Sequence, residues 1–236
     1  MNGYLLIDKE QDWTSSDVVS KLRGILHERC IGHAGTLDPM ATGLLIIMVG
    51  KCTKASDYIM HHDKEYIATL KLGVTTDTQD IWGAVTNKSE VNVSKEQLTD
   101  AINHFIGDIE QIPPMYSAIK IKGQKLYNIA RRGGEVERQP RKIRVDSIDI
   151  ISFENDTAVL DIKCSSGTFV RTLCNDIGAI LGCGGCMSEL RRVKIGNMTI
   201  DKAHKISEIQ DDAYLLPPDT YICDLPDKVR NKILMG

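Results

Sequence analysis

Residues 32–43 of the chain are Gly-His-Ala-Gly-Thr-Leu-Asp-Pro-Met-Ala-Thr-Gly, and an apolar run, residues 44–49, follows at once. The segment predicts a glycine-containing loop that carries one carboxylate, Asp38, with His33 five residues upstream. Pro39 disfavours helical backbone at Asp38, and loops carried on a rigid strand commonly present reactive side chains. Aspartate and threonine beside glycine and proline are also ordinary turn formers. Taken alone, the segment indicates either a reactive carboxylate or a simple turn.

Length and composition limit the class of protein. The 236 residues, 42% of them hydrophobic, suffice for one large domain or two small ones. The longest apolar run, residues 44–49, is far shorter than the ~20 residues that a membrane helix needs. Residues 1–8 lack the basic region and long apolar core of a signal peptide. Seven cysteines without secreted-type spacing indicate reduced thiols, so we expect a cytoplasmic protein that does not contact a membrane.

Charge is distributed unevenly along the chain. The net charge is −3, but residues 117–144 hold nine Lys or Arg against two Glu, which leaves this segment at +7 and the remainder at −10. A basic segment on an acidic body suits a polyanionic partner bound at one face. A solvated charged loop explains the same pattern, and the charges alone do not separate the two interpretations.

Hydrophobic periodicity predicts both helices and strands. Strands are predicted at residues 3–8, 44–49, 66–72 and around Leu160. Helices are predicted after the possible caps at residues 14–16 and after the capping-box pair Ser94 and Gln97. We expect the chain to break around Gly32 and Gly35 before the strand at 44–49 begins. Because the strands and helices follow no βαβ rhythm, the pattern favours an α+β fold.

The segment at 32–43, with the two leucines that follow it, strongly resembles the catalytic motif of the bacterial TruB family of tRNA pseudouridine synthases. Further matching segments come in the order that the family has them and extend the resemblance over roughly residues 3 to 200. They are KEY (64–66), LGVTTDTQD (72–80), QIPPMYSA (111–118), LYNIAR (126–131), SGTFVR (166–171), LGCG (181–184) and LRR (190–192).

The resemblance implies the pseudouridine synthase fold: an α+β domain with a mixed, mainly antiparallel sheet, flanking helices and a central RNA-binding cleft. It assigns residues 1–200 to the catalytic domain, with a basic RNA-binding insertion at about 117–144. Family members usually continue into a small C-terminal RNA-binding domain. Residues 201–236 are expected to be a short C-terminal segment in which that domain is incomplete or absent.

The reaction that the resemblance implies breaks the bond from uracil N1 to the ribose, rotates the base and joins C5 to the same carbon. No redox step occurs, so no cofactor is expected. The glycines at 43 and 50 are spaced too widely for a phosphate loop. Cys183 and Cys186 lack a second pair of ligands at suitable spacing, so no metal is expected either.

The resemblance also assigns the catalytic residues. Asp38 is the nucleophile or an equivalent essential carboxylate, and Arg171 is its ion-pair partner. A planar, permanently charged guanidinium suits that pairing, because it keeps a carboxylate ionised in a site that excludes water. Tyr66 stacks on the target base, and its hydroxyl is placed to take a proton from the sugar if the reaction passes through a glycal. Without the family context Tyr66 would be interpreted as a core residue.

Contacts to RNA are assigned in the same way. His33 packs against flipped-out nucleotides, Leu190 lines the uracil pocket, and Phe169 stands where a tyrosine is common, so one hydroxyl contact is expected to be lost. In a motif where the family usually has Pro and Gly, this chain has Glu10 and Asp12. The remaining residues expected to contact RNA are Lys64, Lys120, Lys122, Lys125, Arg131, Arg132 and Arg141.

The leading hypothesis is a monomeric enzyme that modifies uridine 55 in the T-arm stem-loop of tRNA without a guide RNA. Bases in a single-stranded loop are accessible to flipping and are recognised by stacking. One alternative is a tRNA-binding folding chaperone with weak or no catalysis. Another is a guide-RNA-dependent relative, which the short chain disfavours.

Overall fold

The computed structural model describes residues 1–121, 123–221 and 225–234. The chain forms two compact units, one built from residues 1–65 and the described residues from 191 onward, the other from residues 66–190. Among the described residues, no helix has the length and apolar character needed to cross a membrane.

The strands are β1 (Gly3–Lys9), β2 (Ile31–Ala34), β3 (Thr42–Val49), β4 (Lys64–Leu72), β5 (Val74–Thr76), β6 (Val85–Lys88), β7 (Gly107–Gln111), β8 (Lys120–Ile121), β9 (Gln124–Lys125), β10 (Arg141–Glu154), β11 (Thr157–Cys164), β12 (Gly185–Ile195) and β13 (Met198–Thr199). The α-helices are α1 (Ser15–Leu26), α2 (Ser56–Met60), α3 (Lys95–Asn103), α4 (Leu126–Ala130), α5 (Val170–Ile180) and α6 (Asp227–Leu234). Short 3₁₀ helices cover Gly50–Ala55, Ile200–Lys202, Ile206–Glu208 and Pro218–Tyr221.

Strand β3 is the centre of the first unit. It pairs antiparallel with β1 and β2 and parallel with β12 at Arg191 and Arg192. Its side chains alternate between two apolar clusters: Leu44, Ile46 and Met48 join one and their neighbours join the other. Because both faces are covered, the strand is a continuous apolar run with no polar alternation. The strand predicted at residues 44–49 is confirmed.

Helix α1 packs on one of these clusters through Val18, Val19, Leu22 and Leu26. Its first turn is closed by a capping box, in which the Thr14 hydroxyl accepts from a backbone N–H and the Asp17 carboxylate accepts from the Thr14 backbone. Such reciprocal capping satisfies two donors that the helix leaves unpaired. The predicted helix therefore begins within the predicted capping segment.

The expected break at Gly32 is wrong. Residues Ile31–Ala34 form strand β2, whose register against β3 runs from Ile31↔Val49 to Ala34↔Ile46. Glycine, histidine and alanine are weak strand formers, so local preference gives no sign of this strand. Pairing with the buried β3 supplies the stabilisation, and the chain turns away only at Gly35, where φ is +81°.

In the second unit β10 and β11 form a long antiparallel hairpin, β7 pairs with β10, and β4 neighbours β11. Helix α3 begins with the predicted capping box of Ser94 and Gln97, and β4 alternates buried and half-buried residues. The strands predicted at 66–72 and around Leu160 are present. The predicted α+β fold with a mainly antiparallel sheet is confirmed.

Asp38 lies in the loop of residues 35–41 between β2 and β3, and Arg192 of strand β12 ties the two ends of this loop together. The Arg192 side chain is 1% exposed. Its Nε donates to the carbonyl of Leu44 at 2.8 Å and its Nη2 to the carbonyl of Gly35 at 3.0 Å. The Arg192 guanidinium thus bridges Gly35, where the loop begins, and Leu44 of strand β3, which follows the loop.

Two glycines make room for this bridge. A Cβ at Gly35 would lie 3.3 Å from Nη1 of Arg192, and a Cβ at Gly43 would lie 2.3 Å from the Arg192 carbonyl oxygen. Both residues also have positive φ, +81° and +99°, a region that side chains disfavour. The glycines of the quoted segment therefore allow β12 to approach the Asp38 loop.

The middle of the loop is held by helix α1 and the turn before it. The Ser15 hydroxyl accepts from Leu37 N at 2.9 Å and lies 3.2 Å from the Leu37 carbonyl, to which it donates. Asp12 N donates to the Pro39 carbonyl at 2.9 Å. The backbone on both sides of Asp38 is therefore hydrogen-bonded to other elements of the same unit.

Replacing Arg192 by lysine removes the fork that reaches both carbonyls, and a buried carbonyl left unpaired costs about 1–3 kcal/mol. We expect R192K to lower the free energy of unfolding by about 2 kcal/mol in urea titrations. The matched control is R191K, because Arg191 is 41% exposed in an ion pair with Asp8 and such pairs contribute about 1 kcal/mol or less. Equal losses for the two variants would contradict this role of Arg192.

Candidate active site

The Asp38 side chain is half-buried and lies in the first unit, as does Lys9 of strand β1. The Lys9 ammonium is buried and donates to the carbonyls of Trp13 at 2.7 Å, Glu10 at 3.0 Å and Pro39 at 3.5 Å. Burial lowers the pKa of Lys9 to about 8, while the negative charge of Asp38 opposes that shift. Near neutral pH Lys9 is therefore mainly protonated, and its positive charge interacts favourably with the carboxylate of Asp38.

His33 lies on strand β2 and is half-buried. Burial, and secondarily the positive charge of Arg192, lower the pKa of its imidazole. Its Nδ1 is buried and has no hydrogen-bond partner among the described residues. A neutral ring of this kind suits packing against an uncharged base, and the RNA contact assigned to His33 stays a prediction.

Arg171 lies in the second unit, in the first turn of helix α5, and is 8% exposed. Its Nη1 donates to Oδ2 of Asp80 at 3.3 Å, and the Asp80 residue is 7% exposed. The other oxygen, Oδ1, accepts from the Thr78 hydroxyl at 2.9 Å and from the Trp82 backbone N–H at 3.1 Å. These bonds fix the Asp80 carboxylate and, through it, hold the Arg171 guanidinium. The predicted pairing of Arg171 with Asp38 stays a prediction.

Asp80 received no role from the sequence, although it ends the matching segment at 72–80. The signal that could have revealed it is a carboxylate in a polar, threonine-rich turn directly after the short strand β5. A second contact fixes the same turn to helix α5, because the Thr172 hydroxyl donates to Oε1 of Gln79 at 2.7 Å. The turn and the first turn of α5 are thus joined by two side-chain contacts.

The other predicted residues of the second unit are Tyr66, Phe169 and Leu190. Tyr66 is 8% exposed on strand β4, and Leu190 is half-buried on β12. Phe169 directly precedes α5, where its backbone N–H and carbonyl both bond to the side-chain amide of Gln111 at 2.8 and 3.1 Å. These two hydrogen bonds fix the backbone of Phe169, the residue directly before helix α5. The roles of these three side chains toward RNA stay predictions.

Lys64 has contacts that its predicted role did not include. It is buried, and its ammonium donates to the carbonyls of Met60 at 2.6 Å and His62 at 2.5 Å, which closes the turn after helix α2. These bonds account for a structural role of the side chain within the first unit. Its contact with RNA is untested and stays a prediction.

The basic segment is mostly accessible to solvent. Lys120, Arg131, Arg132 and Arg141 are exposed, whereas Lys122 lies outside the described residues. Lys125 is half-buried, and both it and Arg131 approach the ring of Tyr127, at 5.4 and 5.5 Å from the centroid. Lys120, Arg132 and Arg141 offer their positive charges to solvent. Arg138 instead donates to the Pro113 carbonyl and pairs with Glu135, and Arg144 pairs with Asp146.

Within the part of the chain that the structure describes, no group of three or more His, Cys, Asp or Glu side chains is arranged to hold a metal ion. Cys183 and Cys186 are buried free thiols. Burial raises the pKa of the Cys186 thiol, so it is protonated near neutral pH. A neutral thiol is a poor metal ligand.

Comparison with protein families gives two consecutive matches. Residues 23–170 match the TruB family pseudouridylate synthase N-terminal domain, and residues 171–221 match the tRNA pseudouridylate synthase B C-terminal domain. The chain is also similar to proteins named tRNA pseudouridine synthase B. The protein from Clostridium kluyveri is 43% identical, with 100% of this chain and 84% of that protein covered. The protein from Alkaliphilus oremlandii is 47% identical, with 89% and 70% covered.

Solved structures show the same fold. A chain from the crystal structure of a Cbf5-Nop10-Gar1 complex superposes with a TM-score of 0.68 at 26% identity, covering 87% of this chain and 52% of that one. A chain of an H/ACA RNP bound to a substrate RNA containing 2′-deoxyuridine gives 0.66 at 24% identity, covering 87% and 51%. This chain thus spans about half the length of those solved chains. From the family matches and the relatives at 43% and 47% identity, the chain belongs to the TruB family of pseudouridylate synthases.

Proposed function

We propose that this protein isomerises uridine to pseudouridine at position 55, in the T arm of tRNA. The observation that carries the proposal is that a TruB-family chain keeps its aspartate, Asp38, on a loop fixed at both ends. A carboxylate that is half-buried and held in one place can act on a bound nucleotide without first ordering its own loop.

Asp38 supplies the essential carboxylate of this reaction. The bond between N1 of uracil and C1′ of the ribose breaks, and the departing electrons are delocalised over the ring carbonyls. The base then turns, C5 bonds to C1′, and the proton on C5 is lost to solvent. If the step passes through a glycal, the Tyr66 hydroxyl takes the proton from C2′. N1 takes up a proton in exchange for the one that C5 loses, so the composition and oxidation level of the nucleoside are unchanged and the reaction needs no redox partner.

Arg171 is the ion-pair partner of Asp38 in this proposal, and its permanent positive charge stabilises the reacting carboxylate. The contacts of Asp80 support that role, because a buried guanidinium needs a fixed counter-charge to hold one orientation. Asp80 is then a positioning residue, and its own hydrogen bonds to Thr78 and Trp82 keep it in place.

The partner is the tRNA T-arm stem-loop. His33, Phe169 and Leu190 contact the flipped nucleotides, and Lys64 and the basic residues of 117–144 contact the backbone. In domain terms, we place catalysis in residues 1–200. The assignments of His33, Phe169 and Leu190 rest on their match to the family pattern, and those of the basic residues rest on the concentration of positive charge in residues 117–144.

We also propose that the enzyme acts as a monomer in the cytoplasm without a guide RNA. Relatives at 40% identity and above are named tRNA pseudouridine synthase B, whereas the similar chain from the Cbf5 complex is 26% identical. A folding chaperone for tRNA is the second candidate, which the basic segment supports independently of catalysis.

Tritium release from a tRNA transcript labelled at uridine C5 tests the catalytic proposal. We expect wild type to release tritium without added guide RNA or protein, and D38N to lose at least about 1,000-fold in rate, a loss of about 4 kcal/mol in transition-state stabilisation. The matched control is D12N, which removes an exposed carboxylate of the same unit at a residue with φ of 68°, a conformation that asparagine accepts.

Binding of tRNA by filter retention accompanies each assay. Release by wild type and D12N, with D38N inactive but still binding, supports the proposal. Binding by all three without release from any would refute catalysis and favour the chaperone function. Equal release by wild type and D38N would refute the role of Asp38.

The basic segment is tested by the salt dependence of binding. We expect replacement of Arg131 and Arg132 by glutamine to weaken tRNA binding about 10-fold at low salt, and to reduce the slope of log K against log salt by about 1.5 to 2. The physical reason is that each lost phosphate contact releases one counterion fewer. Replacing the exposed Lys95 and Lys163 by glutamine is the control. An unchanged slope for the Arg131/Arg132 variant contradicts this role of the segment.

A further inference from the structure

The turn that joins β5 to β6 presents a large apolar surface to solvent. Trp82 is 52% exposed and its neighbour Ile81 is 41% exposed. The chain has only two tryptophans, and the other, Trp13, packs against an apolar cluster of the first unit. An indole left this accessible is a common feature of binding surfaces, where rigid aromatic side chains contribute most of the affinity.

The backbone that carries Trp82 is held in one conformation. Asp77 bonds to Ala84 twice, because its carboxylate accepts from Ala84 N at 2.8 Å and its own N–H donates to the Ala84 carbonyl at 3.1 Å. Ile81 N donates to the Met187 carbonyl of strand β12 at 2.9 Å. At Gly83 a Cβ would lie 2.2 Å from the Thr78 hydroxyl oxygen, so the turn closes tightly around this glycine. Trp82 is thus exposed on a preorganised turn.

The same turn is connected to Arg171 through one carboxyl group. Asp80 accepts the Trp82 backbone N–H on Oδ1 and the Arg171 guanidinium on Oδ2. The Asp80 side chain therefore connects the backbone of Trp82, which carries the exposed indole, to Arg171 of the proposed site. This shared carboxylate is the structural link between the exposed indole and the proposed site.

We propose that the indole of Trp82 is a stacking platform for an unpaired base of the substrate tRNA next to the target uridine, an inference that rests on the proposed function. Extracting one nucleotide from a loop removes the stacking partner of its neighbour, and an aromatic face replaces it. The flanking Asp77 is exposed and negatively charged, which disfavours a phosphate at this turn but leaves an uncharged base face acceptable. The turn therefore contacts a base and not the backbone.

Intrinsic fluorescence reports on this contact directly. In a W13F background Trp82 is the only indole, and we expect its emission to be quenched as a T-arm hairpin saturates the protein. Replacing Trp82 by alanine is expected to raise the hairpin dissociation constant about 10-fold, within the range found for loss of base–aromatic stacking. W82F keeps a ring and is expected to stay within about 3-fold of wild type.

The matched control is I151A, which removes another exposed apolar side chain of the same unit, 58% exposed on strand β10. Its dissociation constant is expected to equal that of wild type. Because stacking is not ionic, the ratio between W82A and wild type should stay constant from low to high salt. A constant ratio separates this contact from those of the basic segment.

Hairpins that lack one loop base at a time locate the contact. Removing the base that stacks on Trp82 is expected to weaken binding by wild type about as much as the W82A substitution does. Removing the same base is expected to leave binding by W82A unchanged, and this non-additivity indicates direct coupling between the base and the indole. Unquenched Trp82 emission at saturation, equal dissociation constants for W82A and I151A, or additive losses at every position would each overturn the proposal. A wild-type protein that binds the hairpin but releases no tritium would instead refute the proposed function.

Discussion

The structure of the first unit depends on one buried guanidinium. Arg192 is enclosed by strand β3 and the Asp38 loop and donates to the carbonyls of Leu44 and Gly35. A buried charge is tolerated only when its hydrogen bonds are made, because desolvation of an unpaired ion costs several kcal/mol. The guanidinium therefore accepts only one arrangement of the strand and the loop. Gly35 and Gly43 favour this arrangement, because a Cβ at Gly43 would overlap the Arg192 backbone and a Cβ at Gly35 would crowd the guanidinium at 3.3 Å.

The second unit uses a buried arginine in a different way. Arg171 has its positive charge opposed by Asp80, and Asp80 in turn is held by the backbone and hydroxyl of its own turn. In both units the guanidinium is held by acceptors that are themselves held in place: backbone carbonyls for Arg192 and the hydrogen-bonded Asp80 carboxylate for Arg171. Electrostatic preorganisation of this kind is a large contribution to enzyme catalysis, because the charged groups do not need to reorient during the reaction.

Much of the fold could be predicted from the sequence, because the predictive signals are local. The apolar run at 44–49, the capping box of Ser94 and Gln97 and the loop around Asp38 each depend on neighbouring residues, and all are present. What sequence reasoning missed depends on distant partners. Strand β2 forms because β3 pairs with it, Arg192 reaches a carbonyl 148 positions away, and Arg171 reaches a carboxylate 91 positions away. From sequence alone, the pair Arg191 and Arg192 gives no sign that one is half-exposed and the other buried.

We propose that Asp38 is effective in catalysis because its loop is held from both ends. Hydrogen–deuterium exchange of residues 35–42, measured in wild type and R192K together with the single-turnover rate on saturating tRNA, tests it directly. In R192K we expect faster exchange at Leu37 and Ala41 and unchanged protection in β10 and β11. We also expect a turnover rate reduced about 100-fold, because a reacting group misplaced by about 1 Å loses that much activity. Faster exchange of the loop with an unchanged turnover rate would contradict it.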